Sequence, residues 1–322
     1  MKSSGIGGQA VLEGIMMKNG DSYAVAVRTS ESQVALRVDE YHMFSSTRKW
    51  AQKPILRGIF NFVDSMVLGI QTLTYSASLM EEGPGEEEPA DEEVLKHAGD
   101  PPPGEEEIEA QKRKERADKV MLGITVAISL VLAIGIFMVL PVVLANFFRR
   151  FIQSSAAIAF LEGVVRILIF LGYVLLISRM EDIRRVFMYH GAEHKCINCI
   201  EHGMELTVEN VMKSSRLHKR CGTSFLLIVM LISVVFFMFI RVENLWLRIL
   251  TRILLVPLIA GVSYEFIRLA GTRDTGWVNA LSKPGLWLQT LTTKEPDETM
   301  VQVAIMAVEA VFDWRNFLAE NF

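Results

Sequence analysis

Cysteine is scarce in this chain. Only three of the 322 residues are cysteines, and Cys196, Cys199 and Cys221 all fall between two long apolar segments. An odd number of cysteines confined to one predicted loop argues against a disulfide framework as the basis of the fold. Reduced thiols or metal ligands fit these residues better.

A stripe of lysine and arginine suited to nucleic acid is also missing, so no nucleic acid partner is expected. The formal net charge of −4 comes largely from one acidic segment, Glu81 to about Glu109, and the rest of the chain is mildly basic. Residues 1–20 lack the basic start and following apolar stretch that mark a secretory signal. The sequence is therefore not typical of a disulfide-rich secreted protein or of a nucleic-acid-binding protein.

Hydrophobic residues, by contrast, make up 51% of the chain and are concentrated in long runs after residue 119. Four runs each supply the roughly 20 residues that a membrane-spanning helix needs. The predicted fold class is mainly α: a polytopic α-helical membrane protein with about four spans and a small N-terminal β element. The lipid bilayer is therefore an expected partner. The runs extend from Val120 to about Phe148, from Ala156 to about Ile177, from Gly222 to about Ile240 and from Leu245 to about Leu269.

Basic residues are distributed unevenly around these predicted spans. The connections Arg149 to Ser155 and Arg241 to Asn244 carry few of them, whereas the segment before residue 120 and the loop 179–221 carry many. An excess of lysine and arginine marks the cytoplasmic side of a membrane. Both termini and the loop 179–221 are therefore expected to be cytoplasmic.

Composition also divides the chain into five predicted regions. Tyr23–Arg28 and Gln33–Val38 are short and β-rich, and predict a hairpin or small meander. Pro54 opens a predicted helix to about Met80 that lies at the membrane surface or against the bundle, with a fifth span as the less favoured alternative. The regions are a cytoplasmic β element (1–48), an amphipathic or membrane-associated helix (49–80), an acidic disordered linker (81–118), a four-span domain with a cytoplasmic metal-site loop 179–221 (119–270), and a cytoplasmic C-terminal segment (271–322). This last segment should contain an amphipathic helix from about Thr299 to Leu318, capped by Asp297 or Thr299.

The main chemical signal is the stretch His190-Gly191-Ala192-Glu193-His194. Two histidines four residues apart lie on one face of a helix, and with Ile183 and Phe187 they form a continuous stripe that should pack against protein. The order H-x-x-E-H is that of inverted zincins, in which the histidines hold zinc and the glutamate acts as base. The structural alternative is two histidines that hydrogen-bond to backbone in a packed loop.

Two kinds of metal site are compatible with this ligand-rich loop. In an open catalytic site, a distant carboxylate or histidine would join the histidine pair, and Glu193 would orient or deprotonate a water molecule. In a closed structural zinc site, Cys196-x2-Cys199 would combine with His218-x2-Cys221. The closed site would crowd the open one, because Cys196 directly follows the helix that carries the histidines.

An open site needs a ligand from elsewhere in the chain, and His218, Glu265 and Glu13 are the candidates. Glu265 lies at the cytoplasmic end of the fourth predicted span, where an acid is costly unless it pairs with a cation such as Arg268 or with a metal. Glu13 is a single acid in an apolar run, and is either a strand-edge residue or a buried site carboxylate.

Charged residues also interrupt the predicted spans. Glu162 and Arg166 stand at i and i+4, which predicts an ion pair with a structural role. Arg248 and Arg252 are expected to snorkel toward the outer surface. A transporter should place paired polar groups at the bilayer midplane, and because only Glu162 and Arg166 come near it, transport ranks lower than catalysis.

Four motifs occur in this order along the chain: GGQAVLEGIMM, YHGAEHK followed by ELTVEN, RLHKRCGTSF, and KPGLWLQTLTTKEPD. Together they closely resemble the YqhQ-like family of bacterial membrane proteins, over nearly the whole chain apart from the acidic linker. The resemblance implies a multi-pass protein of the bacterial plasma membrane and carries the general label of predicted metal-dependent enzyme. The positions that match the family are Gly7, Gly8, Gln9, Glu13, His190, Glu193, His194, Glu201, Glu205, His218, Arg220 and Cys221.

Two departures from the family pattern bear on the site. Cys196 is not a position of the pattern, which weakens the closed site built from cysteines and histidine. Gln302 stands where the family usually has an acid shortly after the Glu-Pro-Asp segment. This puts a direct catalytic role of the C-terminal segment in doubt.

The sequence therefore predicts a metal-dependent, hydrolase-type enzyme at the cytoplasmic membrane face, with a divalent metal, zinc being favoured, held by His190 and His194. Glu193 is the predicted base. The alternative is a non-enzymatic membrane scaffold or transporter with a structural metal. The substrate stays unknown and the oligomeric state open, with a homo-oligomer as one option. The remaining candidates around the site are His218, Glu265, Glu13, Glu201, Glu205, Arg220 and Cys221.

Overall fold

The N-terminal region is a four-stranded antiparallel sheet in the order β1-β2-β3-β4. The computed structural model describes residues 2–30, 33–81, 105–240, 242, 244–272 and 275–322, so residues 82–104 of the predicted linker lie outside it. The small β element predicted from the sequence is confirmed. It is also larger than the two predicted strands, because the glycine-rich segment before residue 20 forms the first hairpin. The strands are β1 Gly7–Val11, β2 Gly14–Asn19, β3 Ser22–Arg28 and β4 Val34–Glu40.

This sheet is covered on both faces, which follows from the alternation of its side chains. Ile15 and Met17 of β2 face one hydrophobic core, and Met16 between them faces a second core that contains Leu68. Gly14 is required at the start of β2, since a Cβ there would lie 2.2 Å from Ala26 O of β3. The sheet is thus a central layer of the described N-terminal region.

Helices make up most of the described chain. A π-helical segment, Gly135–Val139, interrupts the first long apolar helix. The helices are α1 Phe44–Thr47, α2 Leu56–Glu81, α3 Glu105–Ile134, α4 Leu140–Phe147, α5 Ser155–Ile177, α6 Glu181–Glu201, α7 Val208–Lys213, α8 Gly222–Phe239, α9 Leu245–Thr272, α10 Gly276–Thr292, α11 Glu298–Glu309 and α12 Trp314–Asn321.

In the part of the chain that the structure describes, four helical stretches are long and apolar enough to cross a membrane: Val120–Arg150, Ser155–Ile177, Gly222–Phe239 and Leu245–Ala270. They match the four predicted spans to within a few residues at each end. The prediction of a mainly helical membrane protein with a small sheet is therefore confirmed.

The spans meet at a buried charged cluster. Nη2 of Arg166 donates to Glu162 Oε1 at 2.8 Å, its Nε donates to Phe137 O at 3.0 Å, and its Nη1 donates to Ser233 Oγ at 3.0 Å. The predicted Glu162–Arg166 pair is confirmed. Arg252, however, does not snorkel outward: it is 5% exposed and forms an ion pair with Glu162 as well. A charged side chain buried among membrane-spanning helices is costly unless it is paired. Glu162 of α5 supplies the partner that allows Arg252 to turn inward.

Helix α10 lies in the C-terminal segment, ahead of the one helix that the sequence predicted there. It packs against α8, where Gln289 Nε2 donates to Ser224 Oγ and to His218 O, both at 2.7 Å. Gly285 permits the contact, since a Cβ there would lie 2.8 Å from the Ser224 side chain. The contact holds the start of the third span against the C-terminal segment.

The predicted amphipathic helix from about Thr299 to Leu318 is instead two helices, α11 and α12. Asp297 caps α11 as predicted, accepting from Met300 N at 2.8 Å. Asp313 caps the start of α12 by accepting from Asn316 N at 3.0 Å. The second capping residue explains the break, because a side-chain cap marks the start of a new helix.

Helix α6 lies between the sheet and the C-terminal helices. It packs against β1, α7 and α11. Tyr189, Cys196 and Ile200 on α6 are fully buried, together with Met300 and Ala304 of α11. This packing fixes the face of α6 on which the histidine pair lies.

Close packing of α5 against α8 depends on Gly163, where a Cβ would lie 2.2 Å from Val234 Cγ2. Gly163→Ala should therefore destabilise the folded chain by ~1–3 kcal/mol through overpacking. The matched control is Gly172→Ala in the same helix, where a Cβ meets nothing within 4 Å. Thermal unfolding in detergent should show a lower midpoint for the first variant alone, and equal midpoints for the two variants would contradict this packing.

Candidate metal centre

Helix α6 carries the histidine pair along its buried face. The rings of His190 and His194 are one turn apart, with centroids separated by 4.4 Å. Gly191 lets the segment after α10 run directly along the helix, since a Cβ at Gly191 would lie 2.0 Å from Lys294 O. Lys294 N in turn donates to Phe187 O at 2.8 Å. The end of α10 is thereby held against the histidines.

Each imidazole has its Nδ1 fixed by a backbone carbonyl. Nδ1 lies 2.9 Å from Thr292 O in His190 and 2.7 Å from Arg216 O in His194. A carbonyl oxygen only accepts hydrogen bonds, so Nδ1 carries the proton in both rings and Nε2 keeps its lone pair. Burial lowers the pKa of His194, which also favours its neutral form. Both rings are held in the form that binds a metal through Nε2.

Cys221 brings a third donor to the same point. It is the N-cap residue of α8, and its Sγ lies 3.4 Å from Thr223 N and 3.2 Å from His190 Nε2. One ligand atom each of His190, His194 and Cys221 can be chosen so that all three lie within 4.8 Å of one another. His194 is 1% exposed and Cys221 is 6% exposed, whereas His190 is half-buried. The cluster is therefore approached from the side of His190.

Glu193 is buried beside this cluster, between α6 and β1. The backbone N–H of Gly8 lies close enough to its carboxylate to favour the ionised form. A Cβ at Gly8 would lie 3.1 Å from Glu193 Cδ, so the absence of a side chain allows β1 to approach. Burial raises the pKa of Glu193, and the neighbouring His190 and the Gly8 N–H partly oppose this rise. The carboxylate is thus less strongly stabilised than an exposed one.

A second polar cluster forms around Glu201, at the end of α6. Its Oε1 accepts from Ser4 N at 2.7 Å and pairs with Arg220, and its Oε2 lies 3.3 Å from His218 Nε2. Burial opposes ionisation, but the hydrogen bond from His218, the charge of Arg220 and the Ser4 N–H lower the pKa of Glu201 to about 2. Glu201 is therefore an ionised carboxylate that holds the N-terminal segment against α6.

His218 belongs to this second cluster. Its Nδ1 accepts from Arg220 N at 3.4 Å, which leaves the proton on Nε2, where it points to Glu201. Its ring centroid lies 5.8 Å from that of His194. The geometry does not bring His218 into the group of His190, His194 and Cys221.

The other predicted acids lie in separate contacts. Glu265 forms a two-pronged ion pair with Arg57, with Nε at 2.7 Å from Oε1, and accepts from Ile55 N at 3.3 Å. Glu13 pairs with Arg185, whose Nη2 lies 2.5 Å from Oε2. The structure thus brings neither acid to the histidine pair, because each is engaged by an arginine. Glu205 is exposed.

The closed site of two cysteines, His218 and Cys221 is not assembled either. Cys196 and Cys199 are fully buried within the core around α6. Cys199 Sγ donates to Glu205 O at 3.3 Å, and burial raises the pKa of both thiols. Among the described residues, Cys221 is the cysteine that joins the histidine pair.

Comparison with known proteins gives the family. The family described as "Protein of unknown function (DUF1385)" matches residues 53–314. The chain belongs to the DUF1385 family. It is 34% identical over 307 residues to the "Uncharacterized protein YqhQ" of Bacillus subtilis (strain 168), covering 93% of this chain and 89% of the relative. The YqhQ-like resemblance is thereby confirmed. No solved structure matches this DUF1385 protein.

Sequence reasoning missed the groups that orient the ligands in this DUF1385 protein. The carbonyls of Thr292 and Arg216 fix the two rings, yet any residue type can supply a carbonyl and no signal marks these positions. Gly191 lies inside the H-x-x-E-H stretch, but the segment that it accommodates lies about 100 residues away. Gly8 was singled out from the sequence only because it matches a position of the YqhQ-like family pattern.

Replacing Glu201 tests the charged cluster of this DUF1385 protein. Glu201→Gln should destabilise the folded chain by about 3 kcal/mol near neutral pH, since the pKa falls from 4.5 to about 2. Because the folded-state pKa is lowered, this stability is present above the unfolded-state value and is lost as pH falls toward the folded-state value. Unfolding midpoints of the wild type and variant should therefore converge on acidification. Exposed Glu209→Gln is the control, and a pH-independent gap would contradict the assignment.

Proposed function

We propose that this protein is a metal-dependent, hydrolase-type enzyme of the bacterial plasma membrane, with its site at the cytoplasmic face. The single observation that carries the proposal is the convergence of His190, His194 and Cys221, whose possible ligand atoms lie within 4.8 Å of one another. Both imidazoles already commit their Nδ1 protons to carbonyls. Such outer hydrogen bonds are the usual support of metal-binding histidines.

The donor set fits a divalent transition metal, with zinc as the proposed ion. Two imidazole nitrogens and one thiolate are donors that zinc prefers, and three protein ligands with an open position are typical of catalytic zinc. Cys221 caps the N-terminus of α8, and its Sγ lies 3.2 Å from His190 Nε2, so it can act as the sulfur donor of the set. A metal in this position would supply Lewis-acid chemistry, polarising a carbonyl or phosphoryl oxygen of a substrate.

Glu193 is the proposed base. It stands next to His194 on α6, and its buried carboxylate lies beside the Gly8 N–H. In a hydrolysis, this carboxylate would accept a proton from the attacking water and then give it to the leaving group. The Gly8 N–H would hold the carboxylate in place without supplying a full charge. Glu201, by contrast, is tied by Arg220 and His218 and serves the fold.

The proposed cytoplasmic location follows from charge. Exposed basic side chains, including Arg179, Arg184 and Lys213, lie on the loop 179–221 that carries the cluster. The connection between α8 and α9 at the opposite end of the spans is short. An excess of lysine and arginine favours the cytoplasmic side.

One observation favours the rival function, a scaffold with a structural metal. Cys221 opens the third span and His190 lies on α6, so a metal there would join a span to the loop helix. His194 and Cys221 are also almost fully buried. The two proposed functions make different demands on Glu193: the enzyme needs its carboxylate as a base, whereas a structural metal site does not need it.

Metal content tests the site itself. The purified full-length chain should hold about one zinc-type ion per chain, measured by elemental analysis, since three convergent ligands suit one ion. His190→Ala with His194→Ala should remove this metal. The control is His202→Ala, because His202 is exposed and its Nδ1 lies 2.7 Å from Asn198 O, away from the cluster. A chain without stoichiometric metal, or a double variant that keeps it, would contradict the proposal.

The role of Glu193 is tested separately. Glu193→Gln should keep the metal but fail to restore the phenotype of a deletion strain, because loss of a general base typically costs ~10²–10⁴-fold in rate. Exposed Glu205→Gln should restore the phenotype as well as the wild type does. If Glu193→Gln restores it fully while the histidine variants unfold the chain, the metal is structural and the enzyme proposal fails.

A further inference from the structure

Helix α2 exposes an apolar face that no described element covers. Val63, Met66, Val67 and Ile70 are 50%, 47%, 42% and 36% exposed, and Leu73 continues the series at 42%. Spacings of three and four residues place these side chains on one stripe of the helix. A monomeric soluble protein rarely exposes so continuous an apolar stripe.

The polarity of α2 is inverted relative to a helix on a water-exposed surface. Its two charged residues before residue 81, Arg57 and Asp64, both turn toward protein. Asp64 is 7% exposed and accepts from Phe44 N at 3.0 Å, and Arg57 pairs with Glu265. The exposed positions between 63 and 74 carry no charged side chain. A surface in contact with water normally shows the opposite arrangement.

The start of α2 packs against two of the membrane-spanning helices. Phe62 packs against Phe225 in the first turn of α8, with ring centroids 5.6 Å apart. Asn61 Nδ2 donates to Tyr264 OH of α9 at 2.7 Å. At Gly58, a Cβ would lie 3.0 Å from Gly261 Cα. The apolar stripe therefore follows directly on a segment that packs against membrane-spanning helices.

The loop before α2 has the composition of a membrane interface. Trp50 is 48% exposed, and its ring lies 5.2 Å from that of Phe60 and 5.9 Å from that of Phe44. Arg48 and Lys49 beside it are exposed, as is Lys53. Amphipathic aromatic rings prefer the headgroup level, and clustered cations are attracted to anionic lipids.

We propose that α2 and the loop 48–53 form a lipid-binding surface that lies in the headgroup layer of an anionic bilayer. The stripe from Val63 to Leu73 contacts acyl chains, and the basic loop contacts lipid phosphates. The opposite face of α2 holds β1, since Gly69 contacts the Gln9 side chain and Ser76 Oγ accepts from Leu12 N at 3.2 Å. The strand whose Gly8 meets Glu193 is thus fixed to a membrane-bound helix. This surface does not depend on the presence of a metal.

Depth-dependent quenching tests the surface in the full chain reconstituted into vesicles of phosphatidylcholine and phosphatidylglycerol. The five natural tryptophans are replaced by Phe, and one tryptophan is introduced as Met66→Trp or, as matched control, Met306→Trp. Met66 is 47% and Met306 is 38% exposed, but Met306 lies on α11, away from the proposed surface. Lipids brominated on their acyl chains should quench most of the Met66→Trp emission and little of the control emission.

Photocrosslinking keeps the test valid if that background fails to fold. Met66→benzoylphenylalanine and Met306→benzoylphenylalanine are made in the otherwise unchanged chain and irradiated in the same vesicles. A mass increase of one lipid at position 66 alone is expected, and phosphatidylglycerol adducts should fall after Arg48→Gln with Lys49→Gln and Lys53→Gln. Equal lipid adducts at both positions, strong acrylamide quenching of Met66→Trp, or crosslinks from position 66 to a second chain would overturn the proposal.

Discussion

Two hydrogen bonds from imidazole Nδ1 atoms to backbone carbonyls organise the site, and much of the surrounding structure serves to bring those carbonyls into place. The carbonyl of Thr292 comes from the end of α10, and that of Arg216 comes from the loop before α8. The carbonyl of Thr292 reaches α6 because α10 packs on α8 and the following segment runs across Gly191. The carbonyl of Arg216 reaches it because Asn198 of α6 donates to Ser215 O and Leu217 O on either side. Since an unsatisfied buried donor costs ~1–3 kcal/mol, both bonds favour one arrangement of these distant segments.

The two acids buried on α6 differ in their partners, and this difference underlies the separate roles proposed for them. Glu201 is compensated by Arg220, His218 and Ser4, so its negative charge is strongly favoured. Burial raises the pKa of Glu193, and the nearby His190 and the Gly8 N–H offset this rise only in part. A strongly compensated carboxylate resists protonation, whereas burial without a full counter-charge favours the protonated form. Position on the helix alone does not distinguish these roles.

Periodicity predicted α6, its buried face and the four spans, because each is a property of residues close in the chain. Periodicity could not show which of the several candidate residues would join His190 and His194 as a third metal ligand. An acid at a span end needs a partner, so Glu265 was a reasonable candidate, but its partner Arg57 lies 208 residues away. That pairing depends on the packing of α2 against α9, which leaves no periodic signal. Cys221 was named among several candidates, and its place beside His190 is set by the N-cap geometry of α8.

Polar contacts connect the first pair of spans to the second pair at two places, one within the bundle and one beyond its end. Both contacts help to position the candidate site. Within the bundle, Glu162 of α5 pairs with Arg252 of α9, and Arg166 donates to Ser233 of α8. Beyond its end, α6, which follows α5, meets Cys221 at the start of α8. Polar contacts surrounded by apolar groups have few alternative partners, so they specify one register between the helices. The three candidate ligands, on two such segments, converge only if that register holds, because ligand geometry tolerates shifts of only ~0.5 Å.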